Sequence, residues 1–314
     1  MKQLIINNSF SESLHQILKE HNLKKIFIFT GIRNAKRLKN SKIMENYHYN
    51  IFTEFDKNPD VRDVNKAKDL INAYNPDVIL AVGGGSTIDI AKQTNVLAAQ
   101  TNSLMFTEQS LSKDISENNL NIKNNGLPLI AIPTTAGTGS ESTQFSVIYI
   151  NKRKYSIDDP KLLPNFVILD SSFLNGSPTE LIATTGMDAL THNLEAYLAK
   201  NFHPICDGIA LEGIKLVSNN LRRAVKEGTD LEARGNMLAA AMMGAIAFQK
   251  GLGVTHSLAH PLSTISGLHH GLANAIMLPH TMTFNSQVSV DRLADVALSL
   301  GVETAGLSPE ESTQ

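Results

Sequence analysis

The run Asp77-Val78-Ile79-Leu80-Ala81-Val82-Gly83-Gly84-Gly85-Ser86 decides the fold. Its first six residues are almost wholly apolar, the composition of a strand buried on both faces of a parallel sheet. The strand runs straight into three glycines and a serine, and a helical stretch, Thr87 to Ala99, follows. Glycines let a backbone approach a bulky anion, and the N-terminus of the next helix presents N–H groups to it. That is the physics of a pyrophosphate site. A tight turn before a helix is the plain alternative, and because the spacing is not G-x-G-x-x-G, the motif alone does not choose between them.

Outward from this run, strand and helix signals alternate. Ser9 to His21 reads as a helix, with Leu14, Ile17 and Leu18 on one face. Lys25 to Thr30 is a β-rich apolar run that ends at Gly31, and Asn50 to Phe55 is a second short strand broken by Asn58-Pro59. Val64 to Tyr74 is an amphipathic helix, Leu129 to Pro133 another buried strand, and Val167 to Asp170 the last clear one. Strands alternating with helices predict a parallel α/β sheet with crossover helices. Beyond about residue 172 strand runs vanish, and periodic segments near 178–200, 204–227, 230–249 and 252–266 predict an all-helical domain. The expected division is 1–172, a dinucleotide-binding α/β domain, and 173–314, a helical domain. Residues 116–126 read as a polar, Asn-rich loop.

Composition excludes several function classes. The 314 residues suggest two domains at ~150 residues each. With 28 Lys+Arg against 30 Asp+Glu the chain is no polybasic nucleic-acid binder. One cysteine, Cys206, forms neither a disulfide framework nor a Cys-based zinc site within the chain, which fits a reducing compartment. The first residues carry no signal-like apolar core, and no apolar run reaches the ~18–20 residues of a membrane span. A cytoplasmic protein without membrane or nucleic-acid partners is expected.

A second turn, Pro133-Thr134-Thr135-Ala136-Gly137-Thr138-Gly139-Ser140-Glu141, also follows a buried strand and carries four hydroxyls and two glycines. Both turns lie at the carboxyl ends of strands, where open α/β sheets bind ligands, and together they favour a nucleotide site. In the helical half, Asp188 and His192 stand four apart on one helix face, as do His256 and His260; His269, His270 and His280 follow. A surface hydrogen-bonded pair or a satisfied core histidine accounts for any one of these. Several converging with an aspartate point to a metal, and one carboxylate with three imidazoles suits Fe(II) or Zn(II) better than Mg or Ca. Neither H-E-x-x-H nor G-x-S-x-G is present.

The elements GGGSTIDIAK (83–92), PTTAGTGSE (133–141), GMDALTHNLEAY (186–197) and GVTHSLAHPLSTISGLHHGLANAIMLPH (253–280) together resemble the iron-containing (group III) alcohol dehydrogenases, in that family's order and spacing, from about residue 55 to 300. The resemblance implies a dinucleotide-binding domain and a helical domain with the active site in the cleft between them. It implies Asp188, His192, His256 and His270 as ligands of Fe2+ or Zn2+, and His260 as a group near the reacting centre that is not a ligand. It implies that Gly83, Gly84, Gly85 and Ser86 hold the pyrophosphate of NAD or NADP, that Thr134, Thr135 and Thr138 edge the cofactor, and that Lys154 reaches the nicotinamide ribose. Asp89 is counted with these cofactor contacts. At the adenosine ribose, where NAD-preferring relatives often carry an aspartate, this chain has Gly31 followed by Arg33, Lys36 and Arg37. Acceptance of NADP(H) is therefore expected, with a solvated cationic loop as the alternative.

The reaction implied is reversible hydride transfer between a nicotinamide and a small alcohol or aldehyde, with the metal as Lewis acid and His260 in the proton relay. Two alternatives are a dehydroquinate-synthase-like metal-dependent lyase on the same scaffold and a catalytically silent metal- or nucleotide-binding protein. The stretch 31–49 matches the family poorly, and relatives continue past the point where this chain ends at SPEESTQ, so an apparently truncated helical domain with exposed apolar surface is expected. The N-terminal segment KQLII offers an edge strand for pairing in a homodimer.

Overall fold

The computed structural model describes residues 1–6, 9–56, 58–100, 122–151 and 153–312; residues 116–121 of the expected polar loop lie outside them. The chain divides into two compact units, Met1–Thr134 with Ser140–Asp170, and Thr135–Gly139 with Ser171–Gln314.

The first unit is built on a six-stranded, all-parallel sheet. In chain order its elements are β1 (Gln3–Ile6), α1 (Phe10–Glu20), β2 (Lys25–Thr30), α2 (Ile32–Lys39), β3 (His48–Phe52), α3 (Val61–Tyr74), β4 (Val78–Gly83), α4 (Gly85–Ala98) and β5 (Leu129–Pro133). An antiparallel hairpin, β6 (Phe145–Ile150) and β7 (Arg153–Asp158), precedes the last strand, β8 (Phe166–Leu169). The spatial order is β1-β8-β5-β4-β2-β3. β4 and β5 are buried along their whole length, as their apolar composition demands. Phe27, Phe29, Ile79, Ala131 and Ile148 belong to the core packed on this sheet.

Several boundaries differ from the sequence reading for local reasons. α3 starts at Val61 rather than Val64 because Asp60 caps it: its side chain accepts from the N–H groups of Arg62 and Asp63, and Asp63 reciprocates. α4 starts inside the glycine run, at Gly85. β3 begins at His48 and ends at Phe52, before residues 53–55. The segment after Gly31, expected as a loop, forms α2, whose Ala35 and Leu38 are buried. The β6–β7 hairpin went unread; its first strand alternates buried and half-buried positions.

The second unit is helical: α5 (Thr179–Leu198), α6 (Pro204–Lys226), α7 (Leu231–Ala247), α8 (Val254–Ser266), α9 (His270–Asn285), α10 (Val290–Ser299) and the short α11 (Pro309–Ser312). Leu194, Tyr197, Ala210, Ile214, Leu278 and Val296 share its core. Phe202, Ile265, Phe284 and Val288 stand exposed on its surface. Among the described residues no single helix is long and apolar enough to cross a membrane.

Candidate metal centre and nucleotide turns

Within the first unit, β4 lies between β2 and β5. The chain leaves β2 toward β3 on one side and β4 toward β5 on the other, so the carboxyl ends of β2 and β4 flank a topological switch point. Thr30 is in register with Val82, and Gly83 with Pro133. Gly31, the glycine turn and Thr134 thus emerge side by side, and the Thr134 N–H donates to the Gly83 carbonyl at 3.0 Å. Position 83 admits no side chain: a Cβ there would stand 2.3 Å from Thr87 Oγ1. The cap of α4 is Gly84, in extended conformation and with no side chain to bond the first-turn N–H groups.

Asp89 and Lys92 tie α4 to the second turn. Asp89 accepts from Ser140 Oγ at 2.6 Å and from the Val147 N–H at 3.2 Å. The Lys92 ammonium, with no exposed surface, donates to the Thr143 and Phe145 carbonyls at 2.8 Å and lies 3.2 Å from Ser140 Oγ and Thr143 Oγ1. Burial lowers Lys92 to about 8 against the pull of Asp89 and Glu141, and raises Glu141 to about 7 against its own backbone N–H and Lys92. Burial likewise raises Asp89, opposed by Lys92, Ser140 and Val147. Both carboxylate oxygens of Asp89 face groups of its own unit.

Thr135 and Thr138 belong to the five-residue segment that packs with the helical unit. Lys154 sits half-buried on β7, its ammonium 5.7 Å from the centre of the Tyr149 ring. Gly31 is exposed, with open space where a Cβ would be. Of the cations after it, Arg33 and Lys36 are exposed, while Arg37 is half-buried, 5.9 Å from the Phe10 ring and attracted by Asp170. Lys36 and Lys39 line a shallow depression with Ile32, Ala35, Ile51 and Thr53.

In the helical unit, ligating atoms of Asp188 on α5, His256 on α8 and His270 at the start of α9 all lie within 4.8 Å of one another. The Nε2 atoms of His256 and His270 are 3.8 and 3.7 Å from Asp188 Oδ1. Two donors each about 2.1 Å from a tetrahedral ion would be ~3.4 Å apart, so the spacing fits a metal ion. Close approach of α9 to α5 depends on Gly271, where a Cβ would stand 2.0 Å from the Thr184 carbonyl oxygen. His192, one turn after Asp188, falls outside this set of three; its ring stacks on that of His256 with centroids 4.6 Å apart. Its Nδ1 lies 3.3 Å from the Gly137 carbonyl; since that oxygen only accepts, Nδ1–H donates to it and Nε2 is left as the nitrogen with a lone pair. His260 is exposed, its ring centroid 4.9 Å from that of His270 and 6.1 Å from that of His256.

Charge in the cluster suits a cation. Burial pushes His192 down to about 4, against the pull of Asp188, so this imidazole is neutral at neutral pH, as a metal ligand must be. For Asp188 burial opposes ionisation, but the surrounding imidazoles and Asn274 outweigh it and hold the group below the ordinary carboxylate range. One carboxylate oxygen with imidazole nitrogens is a donor set for a divalent transition metal.

Two residues of the site were not singled out from sequence. Asn274 is fully buried; its Nδ2 donates to Asp188 Oδ1 at 2.7 Å and lies 3.3 and 3.4 Å from Nε2 of His256 and His270. Glu195, buried on α5, accepts from His256 Nδ1 at 2.6 Å. Their spacing, Asn274 four residues after His270 and Glu195 seven after Asp188, places them on the ligand-bearing helix faces, and that was the available signal.

The family model for the iron-containing alcohol dehydrogenases matches residues 2–171, and that for the C-terminal part of the Fe-containing alcohol dehydrogenase family matches 182–314. The chain belongs to the iron-containing alcohol dehydrogenase family. Among family members, a 4-hydroxybutyrate dehydrogenase of Cupriavidus necator is 40% identical over 249 residues, covering 77% of this chain and 64% of its own length. An NAD-dependent methanol dehydrogenase of Bacillus methanolicus is 36% identical over 263 residues, 82% of this chain and 66% of its own. The chain thus spans about two thirds of the length of these relatives. Of the solved structures, a 1,3-propanediol oxidoreductase superposes with a TM-score of 0.86 at 29% identity, covering 100% of this chain and 83% of its own. A sulfoacetaldehyde reductase from Bifidobacterium kashiwanohense in complex with NAD+ gives 0.87 at 27% identity, 95% and 79%. The parallel sheet and the helical second half expected from sequence are the architecture these relatives share.

Proposed function

We propose that this chain carries a metal-dependent, nicotinamide-linked oxidoreductase activity that interconverts a small alcohol with its aldehyde or ketone. The observation that carries the reading is the convergence of Asp188, His256 and His270 from three helices in a chain whose relatives are named hydroxybutyrate, methanol and propanediol dehydrogenases. Asp188, His192, His256 and His270 would hold the dication, Fe2+ by the family's name and Zn2+ as a substitute the same donors accept. When bound, the metal polarises the substrate oxygen and the nicotinamide carries the hydride.

The chain's own residues supply the rest. The turn Gly83, Gly84, Gly85 and Ser86 with the N-terminus of α4 would bind the pyrophosphate, and Thr134, hydrogen-bonded to Gly83, would flank it. Thr135, Thr138 and Lys154 are proposed further contacts to the cofactor. Asp89 would act by holding Ser140 and Val147 in place. Exposed His260, beside the ligand rings, would pass a proton between the site and solvent. Open space at Gly31 and the exposed cations Arg33 and Lys36 support acceptance of a 2′-phosphate, hence NADP as well as NAD. A cytoplasmic setting and a homodimer complete the proposal.

The test is metal content and NAD(P)H-linked turnover on anaerobically purified protein loaded with Fe(II) or Zn(II), assayed with small aldehydes. Metal-dependent oxidation of either cofactor supports the reading. Stoichiometric metal without turnover on any aldehyde counts against the dehydrogenase assignment and leaves the binding-protein alternative.

A further inference from the structure

We propose that Glu195 is the positioning residue of the metal centre: its carboxylate accepts a hydrogen bond from the His256 Nδ1–H and so fixes the imidazole as the tautomer whose Nε2 lone pair faces Asp188 and His270. The proposal rests on the metal-dependent reading above.

Glu195 is 1% exposed. One oxygen accepts from the Thr255 N–H at 2.5 Å; the other accepts from the His256 N–H at 3.3 Å and from His256 Nδ1 at 2.6 Å. At Gly253, the cap of α8, a Cβ would stand 2.7 Å from Glu195 Oε1, so glycine leaves the carboxylate its place on this helix end. A carboxylate is an acceptor only. Placed against Nδ1, it demands the proton there, and the other ring nitrogen is left with its lone pair. A neutral imidazole has no such preference of its own strong enough to orient a ligand. The same contact raises the basicity of Nε2, as carboxylates behind ligating histidines do.

Glu195 also caps α8, a purely structural duty. Glu195→Gln separates the two. With its oxygen in the Oε1 place the amide still accepts from the Thr255 N–H, while its uncharged NH2 in the Oε2 place gives up the longer His256 N–H contact, donates to Nδ1 and moves the ring proton to Nε2.

The experiment is 15N NMR of the His256 imidazole in the metal-free full chain, with Zn(II) and Fe(II) affinities from chelator competition. We expect the wild type to show the Nδ1–H form. In Glu195→Gln we expect that preference to be lost and metal affinity to fall ~10–100-fold, with helix content unchanged. An Nε2–H ring in the wild type overturns the proposal without need of any variant. So does a Glu195→Gln protein that keeps the Nδ1–H form and binds metal within twofold of wild type. A wild type that shows Nδ1–H but binds neither metal refutes the metal reading instead, so the two failures are distinct.

Discussion

Asn274 Nδ2 donates to Asp188 Oδ1 across 2.7 Å, joining α9 to α5 where the His256 and His270 nitrogens converge. The bond spans 86 residues of sequence, and both partners are buried. An amide there holds the carboxylate oriented before any cation arrives. It also provides the carboxylate's compensation in the metal-free protein.

Removing that compensation is therefore expected to destabilise the metal-free form specifically. Asn274→Ala should cost ~1.5–3 kcal/mol, the scale of a hydrogen bond to a charged group. A bound dication satisfies the same carboxylate, so adding Zn(II) should restore part of the loss. Thermal melts with and without metal check this; an equal loss in both would assign Asn274 to packing alone.

Ligands and relay separate by what each variant loses. His256→Ala and His270→Ala should lose metal and activity together. His260→Ala should keep stoichiometric metal but change the pH–rate profile. Metal analysis beside kcat/KM over a pH series decides, and an unaltered profile would remove His260 from the relay.

Gly31 tests cofactor choice without a steric penalty, because nothing stands within 4 Å of an added Cβ. Gly31→Asp should leave the melting temperature near wild type, lower kcat/KM for NADPH about tenfold or more by charge repulsion (~1.4 kcal/mol), and spare NADH. An unchanged cofactor ratio would mean that the 2′-position lies elsewhere.

Buried Glu141 sets a pH dependence with a definite sign. Its pKa is raised from 4.5 to about 7 on folding, so the native state binds more protons than the unfolded state in that window. Stability should fall as pH rises from about 4.5 to about 7, with up to about 3 kcal/mol lost to this group. Glu141→Gln should flatten that part of the curve, so the variant gains on the wild type as pH rises through the window. Chemical denaturation at pH 5 and pH 7.5 measures it; a parallel loss in both proteins would contradict the assignment.

Much of the fold was legible because its signals are local. The apolar runs 25–30, 78–83 and 129–133 became strands within a residue of the reading, since a strand buried on both faces has little polar sequence to confuse it. The missed elements had weaker local signals. α2 is polar on most of its surface and is marked only by Ala35 and Leu38. In β7 only Ile157 is buried.

What the sequence determined by itself was the order of strand, glycine turn and helix, and the residue types able to hold an anion or a metal. Periodicity and turn chemistry act within a few residues, so they survive in a linear reading. Tertiary structure alone decided which of these groups meet. It brought Asp188, His256 and His270 within 4.8 Å while His192 turned toward Gly137. It also paired Glu195 with His256 across 61 residues. Such meetings depend on how closely helices approach, as at Gly271 against Thr184, and no local pattern encodes that distance.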